Sequence, residues 1–396
     1  NTYKLEPGCW MRVSSEHIIE KHQYWSYQQT REKVLPEENE EMIADRLEEI
    51  MIDAFTKRLI ADVPVGVFLS GGIDSSLVTA ILARHTNTPI KTFTIGFHEK
   101  NYDESLWADK IANRLGTEHT FEIVTPEHAK EILPLWPEIY DEPFGDISGI
   151  PTTIVSRMTR QYVKVSLSAD GGDELFCGYH RYWVMNKLNR FITPLPTIVP
   201  RLAGKTMGVL GNDRVSYIAQ AFPRLRLPAI KDRMRKLQAV VANWQGTAPG
   251  AYPYSVAYWL PHEIENLIGA YTDQRRGLDT FGSNLLDAMM NWDFQYYLPD
   301  DILTKVDRAT MYTSLEGREP FLDHRIVEFA STLPLEMKYK DRSMKYILKK
   351  LLGRYLPEEL FDRPKQGFAV PIYSWLHEDL MELVETHLNP DVLRNQ

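Results

Sequence analysis

The stretch VPVGVFLSGGIDSS, Val63–Ser76, decides the fold. Its first half reads as a short apolar strand, Ser70, Gly71 and Gly72 follow at once, and a helix begins immediately after them. That is anion-binding geometry. Two glycines let the backbone approach a polyphosphate closely, the N–H groups of the next helix's first turn point at it, and Ser70, Ser75 and Ser76 add hydroxyl donors. Asp74 is the odd member. An acid at the mouth of an anion site repels phosphate unless a divalent cation lies between them, so Asp74 argues for Mg²⁺-bound pyrophosphate. The plainer reading is a common Ser-Gly-Gly turn with Asp as a helix-starting residue; the apolar strand ahead and the Asp-Ser-Ser behind speak against it.

Outward from this loop the chain alternates. Before it, Met42, Ile43, Leu47, Ile50, Met51, Ala54, Phe55 and Leu59 recur at helical spacing behind an acidic start. After it the pattern predicts a helix over Asp74–Arg84, a strand over Ile90–Phe97, a helix over Glu104–Leu115 and a strand over His119–Ile123. Helices over Glu127–Leu135 and Ile150–Arg160 and a fourth strand over Val163–Ser168 follow. Strands separated by helices predict an α/β domain with a doubly wound, mostly parallel sheet. Beyond Gly172 strand signals stop, and the patterning predicts a helical C-terminal half. The opening Tyr3–Val13 reads as strand, tight turn and strand without a core of its own.

A length of 396 residues allows two domains, and 43% hydrophobic with 25% charged residues excludes disorder as the main state. A net charge of -9 argues against general nucleic-acid binding. Two cysteines, Cys9 and Cys177, are too few for a disulfide framework, so a reducing, cytoplasmic setting is expected. The longest apolar run, Phe191–Leu210, is broken by prolines and carries Arg201 and Lys205, so neither a membrane span nor a signal peptide is expected.

A second motif, SADGGDELFCGY (Ser168–Tyr179), ends the fourth expected strand with Asp170, Gly171, Gly172, Asp173 and Glu174. Three acids that close repel one another and need cations, metal or lysine. An exposed acidic turn is the plainer reading, weakened because both glycine turns end strands of one sheet and so face one crevice. Positive charge is available from Lys345 in DRSMKYILKK and Lys365 in RPKQGFAVP, the second in a constrained turn and the preferred of the two. Glu316, Arg318 and Asp323 in LEGREPFLDHR read as a salt-bridged helix end, and no histidine shows metal-ligand spacing.

No P-loop lysine motif and no dinucleotide fingerprint is present. The SGGIDSS segment instead resembles the PP-loop of ATP pyrophosphatases (the adenine nucleotide alpha hydrolase-like fold), which split ATP between its α and β phosphates and adenylate an acceptor. With VFLSGGIDSS, FTIGF, SADGGDELF, LPDDILTKVDRATMYTSLEGREPFLDHRIVEFA and RPKQGFAVP, the resemblance narrows to the synthetase domain of the glutamine-hydrolysing asparagine synthetase family. It implies a carbon–nitrogen ligase that uses ATP and Mg²⁺: a carboxylate attacks the α-phosphorus, and ammonia displaces AMP from the acyl-adenylate. By the same resemblance Leu69, Ile95, Gly96, Ser168 and Ala169 hold the nucleotide, Asp74 and Asp173 hold Mg²⁺, and Asp170, Lys365 and Lys345 take part in catalysis. Cys177 stands where the family commonly has glycine.

The resemblance further implies three regions: 1–36 as the tail of a glutaminase domain plus linker, 37–178 as the ATP-binding core, and 179–396 as the helical region completing the site. The expected partners are a small carboxylate, aspartate first, and ammonia delivered by a glutaminase domain or partner; a homodimer is compatible. A uronic-acid or peptide carboxylate, a tRNA-modifying PP-loop enzyme and a non-catalytic nucleotide-binding module are the alternatives. The loop Tyr140–Thr153 is expected at the acceptor, with Arg157 the nearest basic side chain.

Overall fold

Short apolar runs alternating with helices build one parallel sheet. The computed structural model describes residues 4–15, 17–27, 39–99, 102–210, 230–244, 249–269, 284–363, 370–389 and 394. A hairpin of β1 (Cys9–Val13) and β2 (Ile18–Gln23) precedes α1 (Glu40–Lys57). Then come β3 (Val65–Phe68), α2 (Ile73–His85), β4 (Lys91–Phe97), α3 (Ser105–Leu115) and β5 (Glu118–Val124). Helices α4 (Pro126–Ile132), α5 (Trp136–Tyr140) and α6 (Gly149–Arg160) lead to β6 (Val165–Leu167) and the single turn α7 (Gly172–Leu175). The strand order is β5-β4-β3-β6-β7, with β7 being Glu316–Arg318, and every pairing is parallel. From β3 the chain steps outward to β5 and then returns to the other side of β3, so β3 and β6 flank the topological switch point, where a crevice opens beyond the carboxyl ends of the strands.

Helix α2 explains why the first loop is held firmly. Every residue from Ser75 to Leu82 is buried, because α1, α3 and a later helix, Tyr346–Leu352, all pack against it. A helix covered on all sides cannot be amphipathic, and its sequence, IDSSLVTAILARH, is not. Helix α1 presents Ile43, Leu47, Met51, Ala54 and Phe55 to the core, and Asn39 caps it by accepting from Met42 N at 2.9 Å.

The chain divides into two compact units. The first comprises 1–176 and 295–396, the second 177–294. The stretch 179–396, expected as one helical region, is therefore split between them. The second unit contains α8 (His180–Ile192), α9 (Ile198–Leu210), α10 (Ile230–Ala242), α11 (Tyr252–Val256), α12 (Pro261–Ile268) and α13 (Leu285–Trp292). The chain enters this unit at Cys177 with φ +59°, a conformation that suits glycine and strains other residues.

A π-helical segment, Asp293–Leu303, winds around Pro299, and the chain then continues through α14 (Thr304–Tyr312), β7 and α15 (His324–Thr332). After α16 (Leu335–Lys338) comes a two-residue hairpin, β8 (Tyr339–Lys340) and β9 (Ser343–Met344), and then α17 (Tyr346–Leu352). Helices α18 (Ile372–His377) and α19 (Met381–Leu388) follow.

Three expectations need correction. Strands do not stop at Gly172: β7 closes the sheet edge, and its sequence, EGR, offers no apolar alternation because pairing with β6 makes it a strand. The salt-bridged helix end expected in LEGREPFLDHR is present at Asp323, which caps α15 and meets Arg325 Nε at 2.9 Å, whereas Arg318 Nε and Glu316, 2.7 Å apart, pair on the strand. The opening hairpin pairs Cys9–Val13 with the segment after it, not with the residues before Pro7. No helix of the described residues is long and apolar enough to cross a membrane.

Candidate active site

Beyond β3 the backbone of Leu69 is tied to β4: its N–H donates to Phe93 O at 2.9 Å, and its carbonyl accepts from the Thr94 hydroxyl. The turn that follows is laced by its own hydroxyls. Ser70 N donates to Ser75 Oγ at 3.2 Å, the two hydroxyls lie 3.0 Å apart, and Gly72 N donates to Ser70 Oγ at 3.3 Å. Gly71 sits at φ +73°. Gly72 is the N-cap of α2 and supplies no side-chain cap for the helix's opening amides. Ser75 thus shapes the loop. Ser76 is fully buried, its hydroxyl without a hydrogen-bond partner among the described residues.

The second loop leaves β6, where Ser168 N donates to Arg318 O at 2.9 Å and the Ser168 hydroxyl donates to Asp170. Ala169 and Asp170 are half-buried, while Gly171, Gly172 and Glu174 are buried. The two loops touch. A Cβ built on Gly172 would lie 2.7 Å from Asp74 Cγ, so no larger residue lets the Asp74 carboxylate rest over the second turn. Ile95 and Gly96 lie on β4 beside β5, both buried, and a Cβ on Gly96 would meet Ser105 Oγ at 2.8 Å.

Lys345 joins the two acids. Its ammonium contacts Asp74 and lies 2.7 Å from Asp173 Oδ1, with the lysine side chain 4% exposed and the carboxylates 14% and 17% exposed. Burial disfavours the charge, but Asp173 and Asp74 outweigh it and hold the lysine pKa above its usual value. Its backbone takes φ +55° at the cap of α17, a left-handed conformation that costs a non-glycine residue about 1 kcal/mol or more. The acids of α1 brace this segment: Glu40 binds Lys340 and Lys350, each at 2.9 Å, and the Tyr346 hydroxyl.

These two carboxylates form a donor set for a hard divalent cation. Among the described residues no group of three or more His, Cys, Asp or Glu side chains could hold a metal by itself. Two converging carboxylates fit Mg²⁺, which is usually held by one or two carboxylates together with substrate phosphates and water.

Lys365 lies outside the described residues. Its neighbour Arg363 does not: it donates to Gly71 O at 3.1 Å and to Glu104 Oε1 at 3.0 Å, so the segment leading to Lys365 is pinned to the first loop. Sequence reasoning passed over Arg363, although it opens the RPKQGFAVP motif. It also passed over Glu319, which follows β7 at the same edge of the sheet as Ser168. Burial, then the charges of Asp170 and Asp307, push the Glu319 carboxyl up to about 7.

A cavity of about 410 Å³ opens beside this edge, with Lys4, Arg308, Asp307 and Glu319 on its wall. The loop expected at the acceptor does meet basic side chains, but not Arg157, which faces Glu131 at 3.4 Å. Lys4 reaches Glu142 at 2.7 Å, Arg308 reaches Asp141 at 3.0 Å, and the buried Lys305 reaches Asp146 at 3.5 Å. Each of these pairs is distant in sequence.

The family model for asparagine synthase matches residues 46–396. An asparagine synthetase [glutamine-hydrolyzing] 1 from Bacillus subtilis is 29% identical over 398 aligned positions, covering 96% of this chain and 57% of that protein. A putative asparagine synthetase [glutamine-hydrolyzing] from Mycobacterium bovis is 31% identical over 94% of this chain and 55% of its own length. A protein named amidase chry2 from Gibberella zeae is 25% identical, covering 96% of this chain and 61% of its own length. The chain thus spans a little over half the length of these relatives. With the glycine turns, the paired acids and the braced lysine at one sheet edge, this match over most of the sequence makes the chain a member of the asparagine synthase family.

Proposed function

We propose that this chain carries the synthetase chemistry of its family: ATP-dependent conversion of a carboxylate to an amide through an acyl-adenylate. The observation that carries the reading is the Lys345 ammonium set between Asp74 and Asp173, one acid from each strand-end loop. A carboxylate oxygen attacks the α-phosphorus, the bond to the β-phosphate oxygen breaks, and pyrophosphate leaves. The amides opening α2 and the turn Ser70–Gly72 cradle the phosphates, while Lys345, with Lys365 two positions beyond Arg363 in the sequence, opposes the charge that builds on the leaving group. Asp74 and Asp173 would hold Mg²⁺, which supplies charge neutralisation at the phosphates when bound. Ammonia then attacks the acyl carbon, and the carbon–oxygen bond to AMP breaks.

Aspartate is the acceptor we favour, because a cavity of about 410 Å³ with cations and carboxylates on its wall suits a compact amino acid. A uronic-acid or peptide carboxylate is the second reading, supported by the likeness to a relative named as an amidase. Pyrophosphate release from Mg-ATP with ammonium, measured with aspartate, with glucuronate and with no acceptor, tests both alongside product mass. Release with aspartate and formation of asparagine supports the first reading; release with glucuronate alone replaces the substrate, and no acceptor-dependent release overturns the proposal.

A further inference from the structure

We propose that Glu319 accepts the proton that the incoming nitrogen loses as the amide bond forms; this rests on the adenylation reading above. Arg318 O receives Ser168 N, so Glu319 and Asp170 leave neighbouring parallel strands at one edge of the sheet. From there Glu319 lines the cavity together with Asp307, Arg308 and Thr310. Gly317 lies beside it on the cavity wall, where a Cβ would stand 3.6 Å from Glu319 Oε1, an ordinary contact.

Charge sets this residue apart from its neighbours. Asp74 and Asp173 share Lys345, Asp146 faces Lys305, and Asp323 faces Arg325, yet among the described residues Glu319 has no lysine, arginine or histidine within ion-pair distance. Asp170 faces it from the β6–α7 turn and Asp307 from α14; Arg58, at the end of α1, is the opposing cation. Lys4 and Arg308, the cations of the cavity wall, are engaged by Glu142 and Asp141. A carboxyl in such surroundings titrates near neutrality, where a general base is most effective.

The chemistry balances. Ammonia's lone pair forms the carbon–nitrogen bond at the acyl carbon, the carbonyl re-forms as the bond to the AMP oxygen breaks, and the surplus proton on nitrogen passes to the Glu319 carboxylate. The protonated acid then returns it to water. Asp170, held by the Ser168 hydroxyl, remains on the nucleotide side of the same edge.

The test separates the two half-reactions in the full chain. With L-aspartate, or D-glucuronate where aspartate is silent, Glu319→Gln keeps acceptor-dependent ATP–pyrophosphate exchange within about threefold, whereas amide formation with ammonium chloride falls at least about 100-fold. At constant free ammonia the wild type's amidation rate rises with pH through about 7, a limb that the glutamine variant loses and Glu319→Asp retains with part of the rate. Independently of turnover, ¹³C-glutamate spectra show one carboxyl titrating near 7 in the wild type and missing from Glu319→Gln. Equal amidation in wild type and Glu319→Gln overturns the proposal, as does absence of the titrating carboxyl. Loss of exchange and amidation together, unrescued by aspartate, assigns Glu319 a structural role and also overturns it. A wild type without acceptor-dependent exchange overturns the function reading, and this one with it.

Discussion

Each unit of the molecule buries a cluster of charge, and the two clusters are built to different ends. In the second unit Arg181 donates to Asp293 at 2.8 Å and to the Tyr252 hydroxyl at 2.9 Å, and that hydroxyl donates to Asp293 at 2.6 Å. Its guanidinium also stacks 3.7 Å from the centre of the Tyr179 ring. One cation meets one anion, and Asp293 is fully buried. In the first unit one cation, Lys345, meets two carboxylates that stay partly open, on a backbone held in a left-handed conformation. A balanced, closed cluster holds helices together. An unbalanced one that stays partly open, on a strained backbone and short of positive charge, is the kind of cluster that gathers at functional sites.

The sharpest break of this contrast is Asp74→Asn. Acceptor-dependent pyrophosphate release is expected to fall at least about 10³-fold, roughly 4 kcal/mol of transition-state stabilisation, while the urea midpoint moves little because Lys345 keeps Asp173. Activity and denaturation curves measured on one preparation check this. The second cluster should behave in the opposite way: Arg181→Met strands a buried aspartate and is expected to cost about 3 kcal/mol of stability, and the double variant Arg181→Met/Asp293→Leu recovers most of it. Equal recovery of activity and stability in a matching double variant at Lys345 would erase the distinction.

Glu319 gives a third, pH-dependent contrast. Its folded pKa of about 7 lies above the ordinary glutamate value, so the folded state holds a proton that the unfolded chain has lost. Stability is therefore full below pH 4 and declines as pH rises to and through about 7. Glu319→Gln should gain about 2 kcal/mol over wild type between pH 5 and pH 8, a discounted figure because the carboxyl opens on a cavity. Urea titrations at the two values test it. The smallest effect is expected at Glu40, where hydrogen bonds from Lys340, then Lys350 and Tyr346, lower the carboxyl pKa to about 2. Its contribution is present above the ordinary glutamate pKa and is lost as pH falls to and through about 2. Glu40→Gln should cost about 1 kcal/mol at pH 7 and only a small fraction of that at pH 2, read from thermal midpoints.

The central strands and the two glycine turns were legible because their signals are local: a β-branched run, a Gly-Gly pair and an acid each depend on a few neighbouring residues. Helices α2, α3 and α6 fall within a residue of their expected starts for the same reason. The Glu127–Leu135 helix stops at Ile132 because Pro134 forces a tighter turn over Leu133–Leu135. β7 could not be read from three residues, since its identity as a strand is conferred by β6. Arg363 was hidden in plain view, a surface-type residue in sequence whose partners, Gly71 and Glu104, lie more than 250 positions away.

Two regions thus separate what each level of description decided. Local chemistry in the sequence determined the parallel α/β core, the glycine turn before α2 and the cluster of acids after β6, because backbone conformation and charge density follow from adjacent side chains. Tertiary structure alone decided that Gly172 sits under Asp74, that Lys345 rather than solvent neutralises the pair, and that Glu319 opens on the cavity with no cation within ion-pair distance among the described residues. Those facts depend on distances between segments up to about 270 residues apart, which are set by packing and burial and leave no trace in local sequence.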